Sequence, residues 1–135
     1  MSRSVACVSG FVLGAVALGP LQRYRARKTE RSDRRTYDLI VRLRLVSTQA
    51  VAQVLARFDP LCRYCNNDES ATTVTYEAFV DEADPCAIVI VERYVSQHAL
   101  TGIHHKSPAF IAFSTWLRES GLVADKQRFS GRCVL

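Results

Sequence analysis

Between residues 37 and 46 apolar side chains fall on every second position: Tyr37, Leu39, Val41, Leu43 and Leu45. A period of two places them on one face of a strand, with Asp38, Ile40, Arg42 and Arg44 on the other. After Ser47 and Thr48, either of which can cap a helix, the period changes. Val51, Val54, Leu55, Phe58, Leu61 and Cys62 recur at steps of three and four, which predicts an amphipathic helix. Pro60 lies inside it and lacks the N–H that the helix needs, so a kink or an end to its first part is expected there. The polar run at residues 66–70 stops the helix. Residues 72–80, rich in β-branched and aromatic side chains, predict a second strand. Residues 81–85 form a turn, and 86–94 a third strand. The centre of that strand, Ala87-Ile88-Val89-Ile90-Val91, is apolar on both faces, as in a strand with neighbours on either side.

Beyond residue 94 the pattern is helical in two pieces. Ser96 can cap a short helix over 96–103, and Ser107 with Pro108 fits the cap and first turn of another over 107–120. Gly121 can end that helix in a left-handed conformation. Residues 126–134 predict a fourth strand. The order is βαββαβ with the second helical region broken in two. A short turn makes strands two and three an antiparallel hairpin, and the helices must cover one face of the sheet. This is a ferredoxin-like α+β layout. Apolar residues on the other face need cover too, and a second copy of the same sheet would supply it, so a homodimer is expected.

Composition adds an N-terminal region of different character. The chain has 135 residues, 48% of them hydrophobic, enough for one domain with a core. Its net charge of +5 is uneven, with Arg23, Arg25, Arg27, Lys28, Arg31, Arg34 and Arg35 in one segment. The division is an apolar segment at 1–21, a basic linker at 22–36 and a folded domain at 37–135. A basic tail can favour nucleic acid or anionic lipid; we read this one as a solvated linker, without nucleic acid as a partner. Residues 4–21 carry no charge and approach the ~20 apolar residues of a membrane span. The arginines after the span would keep the domain on the cytoplasmic side. A cleaved signal peptide is the rival reading, since Ala15-Val16-Ala17 resembles a cleavage site, although the positive charge falls on the wrong side of the apolar run. If the segment does not insert, the protein is cytoplasmic. Cys62 and Cys65 form a Cys-x-x-Cys pair, but no second pair completes a zinc site. Buried or half-buried thiols, no metal and a reducing compartment are expected.

Chemistry concentrates between residues 92 and 116, where an imidazole pair, His104-His105, separates two helices just after a buried strand. Tyr76-Glu77, Asp84-Pro85, Glu92-Arg93-Tyr94, Ser96, Ala99-Leu100, His104, Ser107-Pro108, Phe110 and Phe113 together resemble the antibiotic biosynthesis monooxygenase (ABM) family over roughly residues 37–122. The resemblance is to a succession of a Tyr-Glu strand, an Asp-Pro turn, Glu-x-aromatic, Ala-Leu, His, Ser/Thr and Phe. It implies a dimeric α/β barrel in which two sheets pack face to face. It also implies a small oxygenase without metal or flavin, acting with molecular oxygen on quinols or polycyclic phenols. Relatives include haem-degrading enzymes. Three departures stand out. Ala99-Leu100 lie one residue farther from His104 than usual, Tyr94 stands where tryptophan is common, and the turn after the first helix reads Asn-Asn-Asp-Glu.

On this reading His104 is the candidate catalytic base, since an imidazole titrates near neutrality; its alternative is a hydrogen-bonded residue that orders the inter-helix turn. His105, Tyr76 and Tyr94 are candidate substrate contacts, although strand tyrosines also simply pack. Phe58, Phe110, Phe113 and Trp116 are core residues that can also line an apolar pocket for a flat aromatic ligand. His98 reads as a surface residue. Glu92 is expected to pair with Arg42 or Arg44 across the sheet. Two other functions remain open: a non-enzymatic dimeric ligand-binding module tethered to a membrane through its N-terminus, and a haem-binding or haem-degrading relative.

Overall fold

The alternation at the start of the domain becomes strand β1 (Tyr37–Leu45) in a computed structural model that describes residues 35–134. The apolar segment 1–21 and the linker as far as residue 34 lie outside the described residues. After β1 come helix α1 (Thr48–Asn67), strands β2 (Thr73–Asp81) and β3 (Asp84–Tyr94), a π-helical turn (Ala99–Ile103), a 3-10 turn (His104–Lys106), helix α2 (Pro108–Glu119) and strand β4 (Val123–Arg132). The sheet order is β2-β3-β1-β4, and every neighbouring pair is antiparallel. This is the expected ferredoxin-like βαββαβ arrangement, with the strand that is apolar on both faces at the interior.

Register decides which side chains meet. Residues paired across strands share a face. One row therefore runs Tyr76, Glu92, Leu39, Ser130; the next is Ala78, Ile90, Val41, Arg128; the third is Val80, Ile88, Leu43, Lys126. These rows face the helices. On the far face Arg42, Phe79, Val89, Ile40 and Phe129 stand together, and Ile40, Phe79 and Phe129 remain exposed.

α1 begins as its sequence dictates, with the Ser47 hydroxyl accepting the Ala50 N–H at 3.1 Å. It buries Val51, Val54, Phe58, Leu61 and Cys65 against the sheet. Pro60 does not end it. The proline is exposed, so the missing hydrogen bond falls on the solvent side, while Phe58 and Leu61 hold the helix from the core side. α2 differs: Ser107 caps it at 3.2 Å and Pro108 opens it, yet no residue of α2 is fully buried. The helix stands back from the sheet and leaves a space beneath it. Gly121, at φ 68°, ends α2 in the left-handed conformation that glycine adopts without steric cost.

Three expectations need correction. β4 begins at Val123 rather than residue 126, because Val46 N–H bonds the Leu122 carbonyl and pairing starts at Leu45–Val123 through an irregularity in β1. β3 begins at Asp84, and the turn before it is tightened by Asp81 and Asp84 carboxylates accepting the Ala83 and Cys86 N–H groups. The expected helix at 96–103 forms, but it is π-helical over Ala99–Ile103 and runs on into a 3-10 turn. Ser96 Oγ still accepts the Ala99 N–H at 3.1 Å. A π turn takes in one residue more than an α turn. Gly102 lies under the His98 ring, so close that any Cβ would overlap it.

Candidate functional site

The space beneath α2 is a cavity of about 510 Å³, within the roughly 300–1,000 Å³ of small-molecule sites. Its floor is the helix-facing side of β1 and β3, with Leu39, Val41, Leu43, Ile90 and Glu92. Tyr76 of β2 closes one end. Phe110, Phe113, Leu117 and Arg118 of α2 form the roof, and Lys126 and Arg128 of β4 complete the lining with His105. The walls are mostly apolar, and one carboxylate, Glu92, shares them with Arg118, Lys126 and Arg128.

That carboxylate is Glu92, only 5% exposed. Burial raises its pKa to about 7, against the Tyr94 hydroxyl, Arg128 and Lys126, which all favour the charged form. The Tyr94 O–H donates to Glu92 Oε2 at 2.6 Å. In turn, burial and then the adjoining Glu92 charge push the Tyr94 phenol above its ordinary range, so it stays a donor. Tyr76 is likewise raised, first by burial and then by Glu92. His105 on the cavity wall is held below the usual imidazole range by burial, then by His104, Arg128 and Lys126. Glu92 is therefore poised between its two forms at neutral pH, the condition under which a carboxyl can take up or release a proton.

The expected ion pair between Glu92 and Arg42 or Arg44 does not form. Glu92 pairs in register with Leu39, so it lies on the helix-facing side, while Arg42 and Arg44 project from the far face. There Arg42 meets Asp81 at 2.9 Å and Arg44 meets Asp84 at 3.0 Å, beside the β2–β3 turn.

The remaining predicted residues separate into those on the cavity and those behind it. Tyr76, His105, Phe110 and Phe113 line it. Tyr94 is completely buried and reaches the cavity only through its bond to Glu92. Phe58 is a core residue stacked on Tyr76, with ring centroids 5.3 Å apart, and meets Phe113 edge-on. Trp116 does not line the cavity; it lies in a separate groove with Pro60, Leu61 and Phe113, under the Arg57 guanidinium at 5.2 Å. His104 has no exposed surface. Its Nδ1 lies 2.9 Å from Glu69 Oε2 and 3.6 Å from Cys65 Sγ, and its ring packs on Phe110, Tyr76 and Tyr94. Burial lowers its pKa more than Glu69 raises it, so the neutral ring donates its Nδ1–H to that carboxylate. His104 thus supports the site from behind, and the imidazole on the cavity is His105.

Sequence reasoning missed Glu92 as a site residue, and with it Arg118, Lys126 and Arg128. A signal was present for two of them. Lys126 and Arg128 alternate with Asp125, Gln127 and Phe129, so once β4 pairs with β1 both cations must face the helices.

No protein-family model and no curated protein sequence matches this chain. Solved structures do. A crystal structure of an antibiotic biosynthesis monooxygenase matches with a TM-score of 0.61 at 21% identity, over 73% of this chain and 99% of the other. The chain has the antibiotic biosynthesis monooxygenase fold. A Pseudomonas aeruginosa protein matches with a TM-score of 0.63 at 17% identity, over 75% of this chain and 96% of its own. A Mycobacterium tuberculosis protein matches at 0.59 and 18% identity, over 74% and 94%. Within the ABM fold of this chain, the cavity under α2 is where floor, roof and charged groups converge.

Proposed function

We propose that this ABM-fold domain is a cofactor-independent monooxygenase of acidic phenols and quinols, with Glu92 rather than a histidine as the base. The observation that carries the reading is a buried carboxylate on the floor of an apolar cavity, titrating near neutrality and flanked by Lys126, Arg128 and Arg118. A flat aromatic ring fits between the Leu39, Val41 and Ile90 floor and the Phe110 and Phe113 roof. Glu92 takes the phenolic proton, and the cations hold the resulting phenolate.

Triplet oxygen then needs an electron, and the phenolate can give one. The superoxide and aryloxyl radical so formed combine at a ring carbon that carries hydrogen, giving a peroxide there. Loss of water turns that carbon into a carbonyl. A phenol and one O₂ thus become a quinone and one water. The ring supplies all four electrons that reduce O₂, so the balance requires no flavin or external reductant. The apolar walls keep bulk water from the radical pair. His105, held neutral, is a second hydrogen-bonding group at the cavity wall.

In this reading the domain works as a homodimer. Support comes from the exposed Ile40, Phe79 and Phe129 on the sheet face that no helix covers, a patch that monomeric proteins rarely leave in water.

The test is oxygen consumption with a panel of naphthohydroquinones and polycyclic phenols, in the presence of chelator and without added flavin. Uptake matched by quinone formation, and lost in Glu92→Gln, supports the proposal. Uptake absent across the panel, or unchanged in that variant, overturns it.

A further inference from the structure

Behind the cavity, Cys65, Glu69 and His104 come together from three parts of the chain. Cys65 lies on the last turn of α1. Four residues later, Glu69 falls on the same side of the chain, and its main chain folds inward because Thr72 and Thr73 N–H groups bond its carbonyl at 3.0 and 2.8 Å. His104 opens the 3-10 turn. Cys65 and His104 have no exposed surface, and Glu69 is 6% exposed. Their Sγ, carboxylate and Nδ1 atoms all lie within 4.8 Å of one another. We propose that these three residues form a binding site for a divalent transition-metal ion of the zinc type, tying the end of α1 to the connection between β3 and α2.

Two independent features support the assignment. The first is geometry. Sulfur, nitrogen and oxygen ligands at zinc bond lengths, spread tetrahedrally, lie about 3.3–3.6 Å apart. Cys65 Sγ and His104 Nδ1 already stand at 3.6 Å, and the 2.9 Å separation of His104 and Glu69 need widen only by a few tenths of an ångström. The donor set is one that borderline-soft ions take and that magnesium or calcium does not. The second is polar satisfaction. Among the described residues, the buried side-chain polar atoms without a hydrogen-bond partner are Glu69 Oε1, Thr73 Oγ1 and His104 Nε2. Of these, Glu69 Oε1 is the atom that a metal here would take up; an ion on His104 Nδ1 does not reach Nε2 or Thr73 Oγ1. A carboxylate removed from water with one oxygen unpartnered is costly. A cation among these ligands compensates it, because Glu69 can present either oxygen or both.

The three residues are buried and none of them lines the cavity, so the metal's role is structural, with the second Glu69 oxygen as the fourth donor. It requires nothing of the oxygenase reading and does not depend on it.

The test uses the full chain and Co²⁺ as a spectroscopic stand-in for Zn²⁺. One Co²⁺ per chain should give a thiolate charge-transfer band in the near ultraviolet and strong visible bands of a four-coordinate ion, both erased by Zn²⁺. A chain with Cys7, Cys62, Cys86 and Cys133 changed to Ser should keep the charge-transfer band, and Cys65→Ser should lose it. Glu69→Gln and His104→Ala should weaken Co²⁺ binding at least ~10-fold. If a ligand variant fails to fold, the four-serine chain decides alone. No charge-transfer band in that chain, or a band that survives Cys65→Ser, overturns the proposal and leaves the triad as a hydrogen-bonded cluster.

Discussion

Glu92→Gln tests the central claim about the cavity through stability and catalysis together. Glutamine keeps the size and the carbonyl oxygen that accepts the Tyr94 hydroxyl, but it cannot ionise. In the wild type the carboxyl titrates at about 7 in the folded protein against an ordinary 4.5. Between those values the folded state holds the proton more tightly than the unfolded state, so folding stability falls as pH rises through that window. Below pH 4.5 the Glu92 contribution is neutral, and above pH 7 the full penalty applies. At about 1.4 kcal/mol for each tenfold difference in proton affinity, the penalty is about 3 kcal/mol. Urea unfolding of wild type and variant at matched protein concentration, from pH 4 to pH 8.5, gives the difference curve directly; titrations common to both proteins cancel. That curve should be flat near pH 4, move in favour of Glu92→Gln between pH 4.5 and 7, and level off by about 3 kcal/mol above. Wild-type oxygen consumption should rise across the upper part of the same window, because only the carboxylate accepts a proton. The variant should lose ~100-fold or more in rate. A difference curve that stays flat, or runs the other way, refutes the claim that Glu92 is buried with a raised pKa.

His104→Ala should destabilise the domain by about 3 kcal/mol, since it leaves the buried Glu69 without its hydrogen-bond donor; thermal unfolding measures it. His105→Ala should change stability little while raising KM, which oxygen-uptake kinetics report. Lys126→Met with Arg128→Met should raise KM for an acidic phenol ~10-fold, more at low salt than at high, and leave a neutral phenol nearly unaffected. Phe129→Asp on the uncovered sheet face should shift the protein from dimer to monomer in sedimentation. A wild type that sediments as a monomer would remove the dimer from the proposal. If residues 4–21 span a membrane, the full chain should resist alkaline carbonate extraction, and release by carbonate would rule the span out.

Local signals sufficed for the elements. The period of two at Tyr37–Leu45, the three-and-four spacing after Ser47, and the caps at Ser96, Ser107 and Gly121 each depend on neighbours a few residues away. The sequence therefore determined the βαββαβ order, the ferredoxin-like sheet and the presence of an imidazole behind a central strand. Pairing partners across the sheet were beyond local reach. Whether Glu92 meets Arg42 or faces a cavity depends on its register opposite Leu39, because a shift of one residue reverses every side chain in a strand. The same register brings Lys126 and Arg128, more than thirty positions away, to the cavity. Which of two adjacent histidines reaches the cavity was likewise settled only in the fold, where His104 is enclosed by Glu69, Tyr76, Tyr94 and Phe110 and His105 lines the cavity. Cys65 shows the limit most clearly. In sequence its nearest partner is Cys62, three positions back. In the fold the Cys62 thiol turns to the Tyr76 carbonyl, and Cys65 turns inward to Glu69 and His104, a grouping that exists only once α1 is packed against the chain that follows β3.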